Sequence, residues 1–439
     1  MSSTLSRRPK AVLATFGTYG DVHPFIALAI ALKQRGVEPT IAAAESYRSK
    51  IEAERIAFYP MRPDVDEVAT RLDMDQQQIA RAIAARPEFI LTDVVLPSLR
   101  ESYEDAMAVM RDADMAITNS VAYGAQLAAE KCRLPHFGVA LQPFVFLSVY
   151  DPPIVATLPR ASAWIFRFAP WCIRAFFGLG KIVARRWARP IDALRREIGL
   201  PPATTHPLFE GQFAGNGAIG MFSPLFGAAQ PDHPPNTSIV GFAFYDSDAG
   251  GPPTLSDELR KFLDAGPPPI VFTQGTSAVH DAHNFVRESM AAVRELDARA
   301  VFVLDDEQSQ NWALHASDRI LLTGYAPYSL LFSRALINVH HGGVGTTAQA
   351  LRSGRPQLIA PYLVDQPDNA ARVVRMGAGR SLALKRYRTA LIVEELRHLM
   401  NDAQYTQRAQ AIGAQVANED GAAAAADIIV AAIPKPTIP

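Results

Sequence analysis

Short apolar runs alternate with longer helical patterns over the first 140 residues. AVLATFG (11–17), PTIAAA (39–44), MAITNS (115–120) and HFGVAL (136–141) have strand length, while PFIALAIALKQRG (24–36) and AYGAQLAAEKC (122–132) read as helices. Strands separated by helices of this length predict βα units and a parallel sheet. Gly36, after Lys33, Gln34 and Arg35, marks a helix C-terminus and the turn into the second strand. The same alternation restarts at PIVFTQG (269–275) and continues through ARAVFVL (298–304), RILLTG (319–324), ALINVH (335–340) and PQLIAP (356–361), which predicts a second Rossmann-like unit. Between the two, YDSDAGGPPTLSDE (245–258) has the Gly, Pro, Ser and Asp content of a solvated linker. The expected fold is α/β, with an N-terminal unit over 1–245 that includes a helical excursion at about 155–215, and a linker at 246–258. A second unit follows over 259–420, then a closing helix and tail at 421–439 that pack back on the first unit.

Composition narrows the class. Hydrophobic residues make up 49% and charged residues 20%, a globular balance with material for two cores. A net charge of -1 offers no general attraction to phosphate backbones, so nucleic acid is not an expected partner. Cys132 and Cys172 are the only cysteines and no CxxC occurs, which supports neither a disulfide framework nor a structural zinc site. The apolar run at 11–17 ends in Gly rather than at a cleavage site and reads as a first strand. No stretch approaches the ~18 apolar residues of a membrane span, so a cytoplasmic protein is expected.

The densest candidate chemistry is NVHHGGVGTTAQALRSGRP (338–356). It sets His340 and His341 at a strand end, Gly342, Gly343 and Gly345 in the turn, and Thr346 and Thr347 at the opening of a helix. A helix N-terminus at the carboxyl end of a parallel strand presents free N–H groups to an anion, and a pyrophosphate fits that geometry. Glycines there also occur for packing alone. Further on, PYLVDQPDNAARVVRMGAG (361–379) puts Asp365, Gln366 and Asn369 in the loop after the next strand, where a carboxylate and amides could grip sugar hydroxyls. In the first unit, FGTYGDVHPFIALA (16–29) sets Asp21 just ahead of a helix expected to start near Pro24. Asp21 there is either a capping group or a base.

From Gly324 to Gly379 the chain resembles the donor signature of the UDP-glycosyltransferase superfamily. The likeness rests on Tyr325-Ala326-Pro327, the His-x-Gly-x-x-Thr core and the closing Asp-Gln, in that order and spacing. It implies a GT-B fold, two Rossmann-like domains with parallel sheets facing a central cleft. It also implies a metal-independent glycosyltransferase that needs no cofactor and takes a nucleotide-sugar as substrate. On this likeness Tyr325 would lie near the nucleobase, His341, Gly343, Gly345 and Thr346 at the diphosphate, and Asp365 and Gln366 at the sugar. Gln349 stands where plant members carry a ribose-binding Glu, which leaves ribose and deoxyribose donors open. FTQGTSAVH (272–280) resembles the family's phosphate loop through Gly275 and Thr276.

GDVHP (20–24) is similar to the acceptor-side motif of bacterial and sterol-type members, in which an Asp replaces a catalytic His. The resemblance implies that Asp21 is the general base of an inverting transfer. His23 is a second candidate for base or acceptor contact. Asn119 stands where plant members have the Asp that orients their His, and with Ser120 it is a candidate for the acceptor site. The pair Asp305-Asp306 reads as a solvated loop rather than a metal motif. Across the whole chain the likeness extends to rhamnosyltransferases of bacterial rhamnolipid synthesis, through LSDELRKFLDAG, IVFTQGTS and DQPDNAARVVRMGAG, and to sterol glucosyltransferases. These imply a UDP or dTDP sugar and a hydrophobic, lipid-like acceptor. A polyketide-like acceptor, or a catalytically silent accessory protein that binds nucleotide-sugars, are the alternatives.

The segment 160–191 holds seven basic residues, no acidic one and three of the four tryptophans. Arg160, Arg167, Arg174 and Lys181 recur every seventh residue, on one side of a helix. Either this helix lies on the inner face of an anionic membrane, or it packs its aromatics into the first domain.

Overall fold

The computed structural model describes residues 7–86, 88–154, 170–247, 250–274, 282–362 and 364–433. The first sheet holds β1 (Lys10–Ala14), β2 (Glu38–Ala43), β3 (Ala57–Pro60), β4 (Met115–Asn119), β5 (His136–Ala140), β6 (Gly217–Gly220) and β7 (Thr237–Ile239). All are parallel, in the order β3-β2-β1-β4-β5-β6-β7. The second sheet holds β8 (Ile270–Thr273), β9 (Ala300–Val303), β10 (Ile320–Thr323), β11 (Ile337–His340), β12 (Gln357–Ile359) and β13 (Gly379–Ser381), parallel in the order β10-β9-β8-β11-β12-β13. Each sheet reverses its winding once, between β1 and β4 in the first and between β8 and β11 in the second. Ligands of open α/β sheets bind at the carboxyl ends of strands at such reversals.

Five helices bear on the site and are numbered in chain order: α1 (Tyr19–Gln34), α2 (Pro170–Ala184), α3 (Val344–Arg352), α4 (Gln366–Met376) and α5 (Gly421–Ala431). α1 runs behind the first sheet because Val22, Phe25, Ile26, Leu28 and Leu32 are all buried against Leu13, Ile41 and Ile117. It begins at Tyr19, a turn before the expected start at Pro24, because Thr18 and Asp21 form a reciprocal cap. Pro24 is carried inside the helix. Gly36, at φ +80°, ends it as expected. In the second domain Phe272 and Phe302 stack at 4.7 Å in a core with Phe285 and Tyr387.

Several contacts join the domains. Arg372 of α4, fully buried, meets Asp151 of the first domain and its own Asp368 at 2.7 Å, while Ile154 donates its N–H to Asp368 at 3.0 Å. In the linker, Asp246 accepts from the N–H groups of Tyr328 and Ser329, at 3.2 and 2.6 Å. Another contact is the chain's return. Glu419 accepts from Ser223 Oγ at 2.6 Å and from Phe242 N–H at 3.2 Å, then α5 lays Ala422, Ala425, Ala426 and Ile429 into the core that holds α1. Arg35 and Asp427 close that contact at 2.7 Å.

α2 departs from both sequence expectations in part. Only Ile173 and Ala184 of it are buried, whereas Trp171, Phe176, Leu179, Ile182 and Val183 are exposed. Of the seven-residue basic series, Arg160 and Arg167 lie outside the described residues, and Lys181 pairs with Glu210. No helix among the described residues is long and apolar enough to cross a membrane.

Candidate active site

The first wall of the cleft is built where the first sheet reverses. β1 ends at Ala14, and the chain turns through Gly17, at φ +136°, into α1. A Cβ on Gly17 would stand 2.1 Å from Asp21 Oδ2, so only glycine lets the carboxylate fold back over this turn. Asp21 Oδ2 accepts the Thr18 N–H at 2.9 Å. Its other oxygen lies 3.5 Å from the amide nitrogen of Asn119, at the end of the neighbouring strand β4. Burial raises Asp21 to about 6 against the lowering pull of these hydrogen bonds. Asn119 Oδ1 in turn accepts from Ser120 Oγ at 3.3 Å and from Val121 N–H at 3.1 Å. Beside this wall a void of about 10 Å³ is lined by Phe16, Met61, Val95, Leu99, Val121 and Tyr123.

The second wall is built where the second sheet reverses. His340 is structural: it accepts the Gly342 N–H at 3.1 Å through Nδ1, which leaves Nε2 to donate to Gln357 Oε1 at 2.9 Å. His341, buried at the tip of β11, is held neutral, with its pKa pushed down to about 3 by burial and by His340. Its Nε2 overhangs Gly343, where a Cβ would stand 2.4 Å away. Its Nδ1 has no hydrogen-bond partner among the described residues. Gly343 is the N-cap of α3, and no side chain caps that terminus. The first-turn N–H groups of α3, with Gly345 and half-buried Thr346 among them, are therefore turned toward the cleft without a capping acceptor. Gln349 is buried one turn further along, and its Oε1 has no hydrogen-bond partner among the described residues.

Asp365 and Gln366 lie at the start of α4 rather than in an open loop. Gln366 Oε1 accepts the Tyr362 N–H at 2.8 Å. Asn369 donates to Asp365 Oδ2 at 2.7 Å and to the Gly342 carbonyl at 2.9 Å, which ties the start of α4 to the glycine turn of α3. Asp365 is raised to about 7, first by burial and further by the negative charges of Asp21 and Asp368. The two walls meet closely. A Cβ on Gly345 would stand 3.8 Å from Gly20 Cα, so the N-termini of α1 and α3 abut across the cleft.

A family model for the glycosyltransferase family 28 N-terminal domain matches residues 11–150, and a model for the erythromycin biosynthesis protein CIII-like C-terminal domain matches residues 287–432. The chain is 28% identical over 431 residues to the O-mycaminosyltylonolide 6-deoxyallosyltransferase of Streptomyces fradiae, with 94% of each chain covered. It is 24% identical over 431 residues to a sterol 3-beta-glucosyltransferase of Arabidopsis thaliana, covering 96% of this chain and 67% of that protein. The solved structure of spinosyn rhamnosyltransferase SpnG with thymidine diphosphate superposes with a TM-score of 0.66, at 16% identity, over 96% of this chain and all of that one.

The chain belongs to the GT-B glycosyltransferases. The structure of this glycosyltransferase brings Asp21, Asn119 and Ser120 together on one wall and His341, Gly343, Gly345, Thr346, Gln349, Asp365 and Gln366 on the other. Gly275 and Thr276 lie outside the described residues.

His23 and Tyr325 fall elsewhere, in the domain seam around Lys50. His23 packs between Tyr19 and Tyr245, at 5.1 Å from each, and burial plus the Lys50 charge push it down to about 3. It is thus a weaker proton acceptor than Asp21. Tyr325, half exposed, has Lys50 Nζ 5.6 Å from its ring and donates its hydroxyl to the Asp246 carbonyl at 3.3 Å. Asp305 caps a helix by accepting the Gln308 N–H at 2.7 Å. Among the described residues no three His, Cys, Asp or Glu side chains converge as a metal site. Lys50 carries no motif that would have flagged it, since it sits in an ordinary six-residue helix and reaches the seam only through the packing of two domains.

Proposed function

We propose that this glycosyltransferase moves a hexose or deoxyhexose from a TDP- or UDP-sugar to a hydroxyl of a hydrophobic, lipid-like acceptor, with inversion at the anomeric carbon and Asp21 as base. The observation that carries the reading is the meeting of the two walls: a carboxylate raised to about 6 faces the uncapped N-terminus of α3 across the cleft. The acceptor hydroxyl gives its proton to Asp21 as its oxygen attacks the anomeric carbon. The bond to the diphosphate breaks on the opposite face, and the charge left on the leaving group is taken up by the N–H groups of α3 and by a neutral His341 N–H. Because imidazolium is disfavoured there, His341 acts as a hydrogen-bond donor and not as a fixed cation. Asp365, tethered by Asn369, is placed to bind the sugar hydroxyls.

The sterol relative supports a hydrophobic acceptor, and the thymidine-diphosphate neighbour supports a TDP donor. A thermal-shift series with TDP-, UDP- and GDP-sugars tests the donor, since a ligand that binds only the folded state raises its melting temperature. Stabilisation by TDP- or UDP-sugars is expected. Proton NMR of the product then reads the anomeric configuration. Retention of the donor's configuration would overturn the single-displacement mechanism, and absence of any transfer by a protein that binds donor would favour a silent, nucleotide-sugar-binding role.

A further inference from the structure

Helix α2 is attached to the first domain by one narrow side. Ile173 and Ala184 are buried, Lys181 is paired with Glu210, and the Lys181 carbonyl lies 3.1 Å from His206 Nε2. At 100° per residue these anchors fall within about 80° of the helix circumference. The opposite arc, about 140° wide on the same reckoning, carries Trp171, Ile182, Leu179, Val183 and Phe176. Trp171 and Ile182, at its edge, are each 73% exposed. Isolated exposed apolar residues are ordinary, but five on one helix face form a patch that water does not favour.

Charge indicates what covers the patch. No acidic residue occurs between Asp151 and Asp192, in a chain whose net charge is -1. Arg174 borders one side of the apolar arc, and Arg185, Arg186 and Arg189 follow just beyond the helix end. Arg185 pairs with Asp192, whereas Arg174, Arg186 and Arg189 have no ion-pair partner among the described residues. The patch is also a ridge rather than a groove, a single helix standing out from the domain with its apolar side outward. An apolar ridge bordered by guanidinium groups matches a planar anionic lipid interface, into which aromatic and aliphatic side chains sink while the arginines stay at headgroup level.

We propose that α2 seats this enzyme on an anionic lipid bilayer, with Trp171, Leu179, Ile182 and Val183 entering the interface and Arg174, Arg186 and Arg189 meeting the headgroups. The proposal does not depend on which sugar is moved or on the identity of the acceptor.

Co-sedimentation of the full chain with phosphatidylcholine vesicles, with and without phosphatidylglycerol, tests it. Binding is expected to the anionic vesicles, with little to pure phosphatidylcholine, and it should weaken as salt is raised. The double variant L179D/I182D should lose more than about tenfold in partitioning, since each Asp replaces an apolar side chain that would be buried. Both positions are exposed, so its melting curve should match the parent. If the parent stays in the supernatant with anionic vesicles, or binds neutral vesicles equally, the proposal fails. Sedimentation velocity without lipid supplies the remaining arm: a dimer that L179D/I182D dissolves would assign the ridge to a second copy of the chain and overturn the lipid reading.

Discussion

The two walls of the cleft carry chemically similar carboxyls in opposite settings. Asp21 belongs to the cap of its own helix and touches the rest of its domain through one long hydrogen bond from Asn119. Asp365 belongs to a tether, because Asn369 binds it and the glycine turn of α3 together. Both are raised by burial, Asp21 to about 6 and Asp365 to about 7. A carboxyl that must accept a proton can be loosely held if its pKa suits the working pH. One that must define where a sugar lies needs a rigid frame. On the proposed mechanism, the difference in attachment separates a group that reacts from a group that positions.

Removing the reacting group should have the largest effect. An Asp21→Asn variant keeps an oxygen to accept the Thr18 N–H but cannot take a proton, so turnover should fall by about 10²- to 10⁴-fold with donor binding retained. The same variant should melt at a higher temperature at pH 8. With a folded-state pKa near 6 against 3.8 unfolded, the fold holds the Asp21 proton more tightly than the unfolded chain does, so ionisation destabilises the fold as pH rises through that window. Full activity, or an unchanged melt, would show that Asp21 only caps its helix.

A His341→Ala variant should lose about 10²-fold in turnover, as for loss of one donor to a developing anion. Since His341 is on the other wall, the acid limb of the pH–rate profile should stay near 6. Movement of that limb would mean that the two walls do not act separately.

The smallest effect is expected from Asn119→Ala. The amide favours the ionised form of Asp21, so its removal should move the acid limb to higher pH by less than about one unit, with turnover at pH 8 within a few-fold of the parent. A shift to lower pH would contradict the contact between Asn119 and Asp21.

Much of this arrangement was legible along the chain. Nine strands announced themselves as apolar runs, because central strands of parallel sheets are buried on both faces. The four unannounced ones, β3, β6, β7 and β13, have three or four residues, and Thr237–Ile239 and Gly379–Ser381 are too short and too exposed to show a period. The resemblance to a donor signature was legible because its histidine and glycines fall within residues 341–345 and its carboxyl follows after the next strand. What was not legible depends on tertiary approach. The placement of His23 and Tyr325 around Lys50 requires three segments far apart in sequence to meet at the seam, and the tether by Asn369 depends on how α4 lies against the glycine turn. The early start of α1 was hidden for a local reason: Pro24 looked like a first residue, whereas the cap between Thr18 and Asp21 outweighed it.

The return of the chain to its first domain bears on how such enzymes can be recombined. A chimera that exchanges N-terminal halves by cutting only in the linker would leave α5 of one parent lying on α1 of the other. Ala422, Ala425, Ala426 and Ile429 would then face foreign side chains, and Arg35 could lose Asp427. The damage would not stay at the periphery, because the misfitted helix is the one that carries Asp21 at its opposite end. The first domain is thus composed of two separate stretches of sequence, and residues 421–431 must travel with the domain they cover rather than with the one they follow.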